Sequence, residues 1–281
     1  MRVYLLDKNI VEDIRSSLNN IPSPGVALAR SVDRKGAIIS PLLSIAEGNI
    51  RKPQTSGEIL SSMRIETQAV GMFYNHARTD AHYLQNNDVE LIIALGTHWR
   101  EKTKELLPLA NSLQVLLSRT YSISDTKDVF SKIDLLCGSH SVSRVHPLVT
   151  CAIACLYGNM SARRVIKPAK NPSEGDSYNA VSDIRMLLET AYLREMFQKH
   201  SPNMGVSLLS GDKKLNEFAR DIGVVVEKSI LLTDFNLQLV NFKATIDKKL
   251  FPMLNNKPKE LAYIYSYFEE SEKDFNLNLS R

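Results

Sequence analysis

No stretch of the sequence stays apolar for the roughly 20 residues that a membrane-spanning helix needs. One of the most apolar runs, "ELIIALG" from Glu90, is far shorter. Cysteine is scarce as well. The three thiols, Cys137, Cys151 and Cys155, are an odd number in 281 residues. That excludes a disulfide framework and suits a reducing compartment. None of them forms a Cys-x-x-Cys pair, and Cys151 and Cys155 stand four apart in an apolar helical pattern, so buried thiols are expected rather than a zinc site. A large excess of one charge is missing too: the net charge of +4 permits a polyanionic partner without requiring one. The opening residues hold one Arg and four apolar residues before Asp7, with no h-region of a secretory leader. The expectation is a cytoplasmic protein.

What is present is ordinary globular composition, 43% apolar against 23% charged, which argues against disorder. "MRVYLLDKNI" is an apolar strand pattern that stops on Asp7. Ile10, Ile14 and Leu18 then recur at helical spacing until "NNIPSPG" ends the helix. "GVALAR" reads as a second strand and "GAIIS" as another. "SPLLSIAEGNI" begins with Ser40 and Pro41, a helix start, and carries Glu47. From about Ser56 to Ser161 the spacing is helical. The α/β pattern returns with the amphipathic "NAVSDIRMLLETAYLREMFQKH" and then "GVSLLSGDKKLNEFARDIGVVVE", and two further helices are expected around "NNKP".

Two apolar runs, "VYLLD" and "VSLLSGD", break at an Asp and enter a helix, which is how residues gather at the carboxyl edge of a parallel sheet. Glu47 and Asp183 stand among apolar residues of two intervening helices. Carboxylates assembled from four places would repel one another unless they held cations. Oxygen ligands select Mg²⁺ or Mn²⁺, ions suited to phosphodiester hydrolysis. By itself each residue has a plainer reading: Asp7 as a helix cap, Asp212 as a turn residue, Glu47 as a solvated helix position.

The set of motifs resembles the PIN-domain nucleases. "YLLDKN", "SPLLSIAEG", "SDIRMLLETA" and "LLSGDKKLNEFARDIGV" are similar, in that order, to the four acidic motifs of that family. The resemblance covers roughly residues 1–50 and 170–230. It implies an α/β, PIN-like parallel sheet flanked by helices. Its halves, 1–55 and 165–233, are split by a large helical insert at 56–164 and followed by a helical C-terminal tail at 234–281. It also implies a metal-dependent ribonuclease, a hydrolase in which Asp7, Glu47, Asp183 and Asp212 bind Mg²⁺ or Mn²⁺. Asn9 would orient Asp7 or a water, and Ser210 would support Asp212. The insert is longer than the family's usual segment, so Asp176 and Asn179, on nearly the same face as Asp183, are alternates, and Glu58 is the alternate for Glu47. Haloacid-dehalogenase-type phosphatases also open on a strand and an Asp, but they need a second Asp where this chain has Asn9.

Basic residues near these motifs, Lys8, Arg163, Arg164, Lys167, Lys170, Lys213 and Lys214, are candidates for contact with an RNA backbone, although such clusters are more often solvated loops. Tyr263, Tyr265, Tyr267 and Phe268 suit helix packing better than base stacking. The insert is the place expected for self-association or an inhibitory protein partner. A catalytically inactive module that binds nucleic acid or protein, and a DNA-directed nuclease, are the competing readings.

Overall fold

A computed structural model describes residues 1–52, 54–80, 84, 89–232 and 237–278. The first elements are β1 (Arg2–Leu6), α1 (Lys8–Leu18), α2 (Val26–Ser31), β2 (Ala37–Ser40), α3 (Leu42–Arg51), α4 (Ser56–Phe73) and β3 (Arg78–Thr79). Helices α5 (Val89–Leu116), α6 (Thr126–Ser139), α7 (Pro147–Leu156), α8 (Met160–Ile166) and α9 (Glu174–His200) follow. Then come β4 (Gly205–Leu209), α10 (Lys213–Asp221), β5 (Ile222–Leu232), β6 (Leu237–Ile246), two short 3-10 turns and α11 (Pro258–Asn278). The chain divides into two compact units, Met1–Lys102 with Glu189–Lys213, and Thr103–Leu188 with Lys214–Arg281.

The first unit is an α/β layer built on a four-stranded parallel sheet in the order β3-β2-β1-β4. Alternation along β1 divides its side chains between two faces, as the pleat requires. Tyr4 and Leu6, with Ala37, Ile39 and Leu209, pack against Ile10, Val11 and Ile14 of α1, Ala29 of α2, and Val70 and Phe73 of α4. Val3 and Leu5, with Val206, pack against Leu43 of α3 and Leu193. Burying a side chain the size of Leu6 contributes about 1.5–3 kcal/mol. Strand β1 is central, covered on both faces, and therefore continuously apolar up to its end. Its register sets Leu6 beside Leu209 and Leu5 beside Ser40, so Asp7, Ser210 and Pro41 lie along one edge.

In the second unit, α7 is buried along its whole length. Strands β5 and β6 pair antiparallel in a sheet of their own. Tyr267 and Phe268 of α11 are buried, and the Tyr267 hydroxyl donates to Asp134 at 2.8 Å while its ring meets Phe130 edge-on. This is helix packing, as the tail's aromatics suggest.

Three expectations are corrected. "GVALAR" is the helix α2, not a strand; a short apolar run cannot be assigned by period alone, and Gly25, fixed by its N–H donating to Asp13 at 2.9 Å, starts the turn. The segment 56–164 is not one insert. Its first part supplies α4 and β3 to the sheet unit, because Val70 and Phe73 complete the core on the α1 side. The tail 234–281 is not wholly helical: Leu237–Ile246 is β6, which the alternation of Val240, Phe242, Ala244 and Ile246 explains. Residues 233–236 lie outside the described residues.

Candidate active site at the carboxyl edge of the sheet

Asp7 does two things. As N-cap of α1 it accepts the Ile10 N–H on Oδ1 at 2.8 Å, satisfying one of the helix's unpaired donors. It is also 2% exposed, and its other oxygen, Oδ2, is buried with no hydrogen-bond partner among the described residues. A capping carboxylate on a surface helix is normally wetted, so the helix start alone does not account for this burial. Loss of water pushes the Asp7 pKa up. The Ser210 hydroxyl and the Ile10 and Gly211 N–H groups pull it partly back, while the charge of Glu47 raises it further. Glu47 is therefore close enough to Asp7 for their charges to interact.

Ser210 ends β4 and is 1% exposed. Its hydroxyl accepts the Asp212 N–H at 3.1 Å and favours the charged form of Asp7. It links the first and fourth motifs, standing beside Asp7 as well as the Asp212 turn. Asp212 itself is exposed, and so is Asn9, whose position on α1 leaves Oδ1 of Asp7 to the backbone.

Asp183 belongs to the second unit, on α9, where Lys167 Nζ donates to its Oδ2 at 2.7 Å. Asp176 holds the start of the same helix. Its carboxylate accepts from the Ser173 N–H at 3.0 Å and hydroxyl at 2.7 Å, which lowers its pKa. Asn179 is exposed. Glu58 closes a capping box with Thr55 at the start of α4 and is exposed, which explains its charge without any site. Among the described residues no group of three or more His, Cys, Asp or Glu side chains stands where it could hold one metal ion.

The basic residues are mostly engaged. Lys8 pairs with Glu66, Lys167 with Asp183, and Lys214 with Glu217 at 2.7 Å. Arg163 donates to the Leu117 carbonyl at 3.3 Å. Arg164, Lys170 and Lys213 are exposed. The thiols are free and buried, and burial pushes Cys137 to about 12 and Cys155 to about 11.

Two acids at or beside this edge are absent from the motif reading. Glu66 of α4 is 2% exposed and accepts from Lys8 and, at 2.5 Å, from the Ser44 hydroxyl. The sequence carries a signal for it: Glu66 shares the helical stripe Ile59, Met63, Val70 and Phe73, where an acid needs a partner. Asp80 follows β3, and its N–H continues the ladder to the Ile39 carbonyl at 3.2 Å. Its Oδ1 is buried without a partner among the described residues, and burial raises its pKa to about 6 against a modest lowering by Ser40. A two-residue strand leaves no period to detect. The fold and this edge define an α/β protein with a parallel sheet whose carboxyl end carries buried acids, and among the described residues no helix is long and apolar enough to cross a membrane. The chain matches no protein-family model, and no curated protein or solved structure is significantly similar to it.

Proposed function

We propose that this edge is the active site of a PIN-like, divalent-metal-dependent nuclease that hydrolyses phosphodiester bonds in RNA. The observation that supports it most is the Asp7 carboxylate, whose Oδ2 is buried with no hydrogen-bond partner among the described residues, near the charge of Glu47. Such an atom suits a hard cation, and Mg²⁺ is commonly bound by only one or two carboxylates, with water and substrate phosphate supplying the rest. A site of that kind is compatible with the described residues, among which no three such side chains gather at one point. Such an ion, when bound, supplies Lewis acidity at a phosphoryl oxygen and a water acidified toward neutral pH.

The chain's own residues would divide the work. Asp7 presents Oδ2 while its cap bond fixes the carboxylate plane. Glu47 adds the second negative charge. Ser210 opposes part of the rise that burial imposes on Asp7 and keeps the Asp212 turn beside it. The role of Asp183, the choice of RNA over DNA and a cytoplasmic setting rest on the resemblance and on the reduced thiols.

The test is cleavage of labelled single-stranded RNA and DNA by the full chain in Mg²⁺ or Mn²⁺, with EDTA and Asp7→Asn as controls. RNA cleavage lost in both controls is expected. Absence of cleavage together with absence of calorimetric metal binding would overturn the reading. One observation favours a catalytically inactive nucleic-acid or protein-binding module instead: Asp183 is paired with Lys167, and Asp212 faces solvent. RNA binding that is indifferent to EDTA and to Asp7→Asn would select it.

A further inference from the structure

The opposite edge of the same sheet carries a different chemistry. A cleft of about 510 Å³ opens at the amino ends of β1, β2 and β4, lined among others by Arg2, Arg34, Lys35, Gly36, Asn203 and Gly205. Its lining includes these basic side chains and no acid. The acid nearest in sequence, Asp33, is directed elsewhere: its oxygens accept the N–H groups of Asn75, His76 and Ala77 at 2.8–3.0 Å.

One of the cations is held in place although it is exposed. Arg34 Nη2 donates to the hydroxyl of Tyr4 at 2.9 Å, and the Tyr4 ring is buried in the core. The Arg2 side chain passes beside Gly205, where an added Cβ would meet Arg2 Nε at 3.4 Å, about van der Waals contact. Gly36 adopts φ +85°, a backbone region that favours glycine, and no heavy atom lies within 4 Å of where its Cβ would be.

We propose that this cleft binds the phosphoryl group of a phosphate-bearing ligand, with Arg2 and Arg34 as its two guanidinium donors and Lys35 as a third positive charge. Guanidinium forks match phosphate oxygens in pairs, and a donor already positioned, as Arg34 is by Tyr4, loses less freedom on binding. The volume lies in the range of small-molecule sites. The phosphoryl group can come from a mononucleotide-sized ligand or from a polynucleotide backbone. The inference does not depend on the nuclease reading, because none of these residues belongs to the carboxyl edge.

The experiment titrates the full chain carrying Asp7→Asn, in EDTA, with inorganic phosphate, adenosine 5′-monophosphate and a single-stranded oligonucleotide, so that cleavage cannot consume a probe. Saturable binding of at least one probe is expected, weakened about tenfold or more by Arg2→Gln and by Arg34→Gln, since hydrogen bonds to a charged group carry that much affinity. Tyr4→Phe, which frees Arg34 and keeps the ring, should weaken binding by a smaller factor. A mononucleotide bound as tightly as the oligonucleotide identifies a small ligand. An oligonucleotide bound alone, with steep salt dependence and the same sensitivity to the variants, identifies a polymer backbone. Equal binding by the parent and both arginine variants, or binding of no probe, overturns the proposal. Its failure would leave RNA cleavage at the other edge untouched.

Discussion

The Ser210 hydroxyl stands beside the Asp7 carboxylate at the ends of two adjacent parallel strands, accepting the Asp212 N–H while favouring the charged form of Asp7. Strand pairing between Leu6 and Leu209 is what brings together residues about 200 positions apart. The edge thereby holds a desolvated carboxylate that is only partly compensated, which is the condition for binding a cation or a proton.

Asp7→Asn separates the cap from the charge. Asn is as good an N-cap as Asp, so α1 should keep its start, and removing a poorly solvated charge should leave thermal stability unchanged or raised. RNA cleavage, by contrast, should fall by about a hundredfold or more if an essential group is lost. A melting curve and a cleavage assay on one preparation give both answers.

Asp80 makes stability depend on pH in a stated direction. Its folded value, about 6, lies above the ordinary carboxylate range, so the folded chain binds that proton more tightly than the unfolded chain. This contribution is fully present below pH of about 4 and is lost as pH rises through about 6. Asp80→Asn should therefore gain on the parent across that window, by roughly 2–3 kcal/mol at neutral pH. Urea midpoints of both proteins at pH 4.5, 5.5 and 7 give the difference. A constant difference across the three would refute the assignment.

The Lys8–Glu66 pair is asymmetric, with Glu66 at 2% side-chain exposure and Lys8 at 29%. Glu66→Ala strands Lys8 and leaves the Ser44 hydroxyl without its acceptor, and should cost about 3 kcal/mol. Replacing both ends by Lys8→Met and Glu66→Leu should cost much less, because no half-buried charge is left behind. Denaturant titration of the parent, Lys8→Met, Glu66→Leu and the double variant measures the coupling, with Glu66→Ala as the broken pair.

Glu47 and Glu58 can be told apart by function. Glu47→Gln should depress metal-dependent cleavage, whereas Glu58→Gln should leave it at the parent level. Thr55→Ala, which breaks the same capping box as Glu58, should lower stability by about 1 kcal/mol without touching activity. Equal losses of activity for Glu47→Gln and Glu58→Gln would remove the distinction.

The thiols should be silent in the folded chain. With Cys155 at about 11 and Cys137 at about 12, no more than about one thiolate in a thousand exists at pH 8 for either, and complete burial pushes Cys151 well above its ordinary value too. A disulfide reagent should report no fast reaction in buffer and three thiols in guanidinium chloride.

Local pattern was enough for β1, β2 and β4, for α1, and for the placing of Asp7 and Ser210 at strand ends, because a strand's period and a helix cap are written in neighbouring residues. It was not enough for α2, whose "GVALAR" fits either period, nor for β3, which is two residues long. It also missed Glu66, whose partner Lys8 lies 58 residues away.

The sequence by itself determined where strands stop on polar residues and which helices carry an acid among apolar positions, since those features depend on the few residues that set φ, ψ and side-chain period. Only the tertiary structure decided which charges are compensated. It buried Oδ2 of Asp7 without a hydrogen-bond partner among the described residues, joined Lys167 to Asp183, set Glu58 in a cap and placed Arg2 and Arg34 at one cleft. A charge's energy depends on how much water it loses and on what stands within a few ångströms, and strand order, not proximity in sequence, sets both.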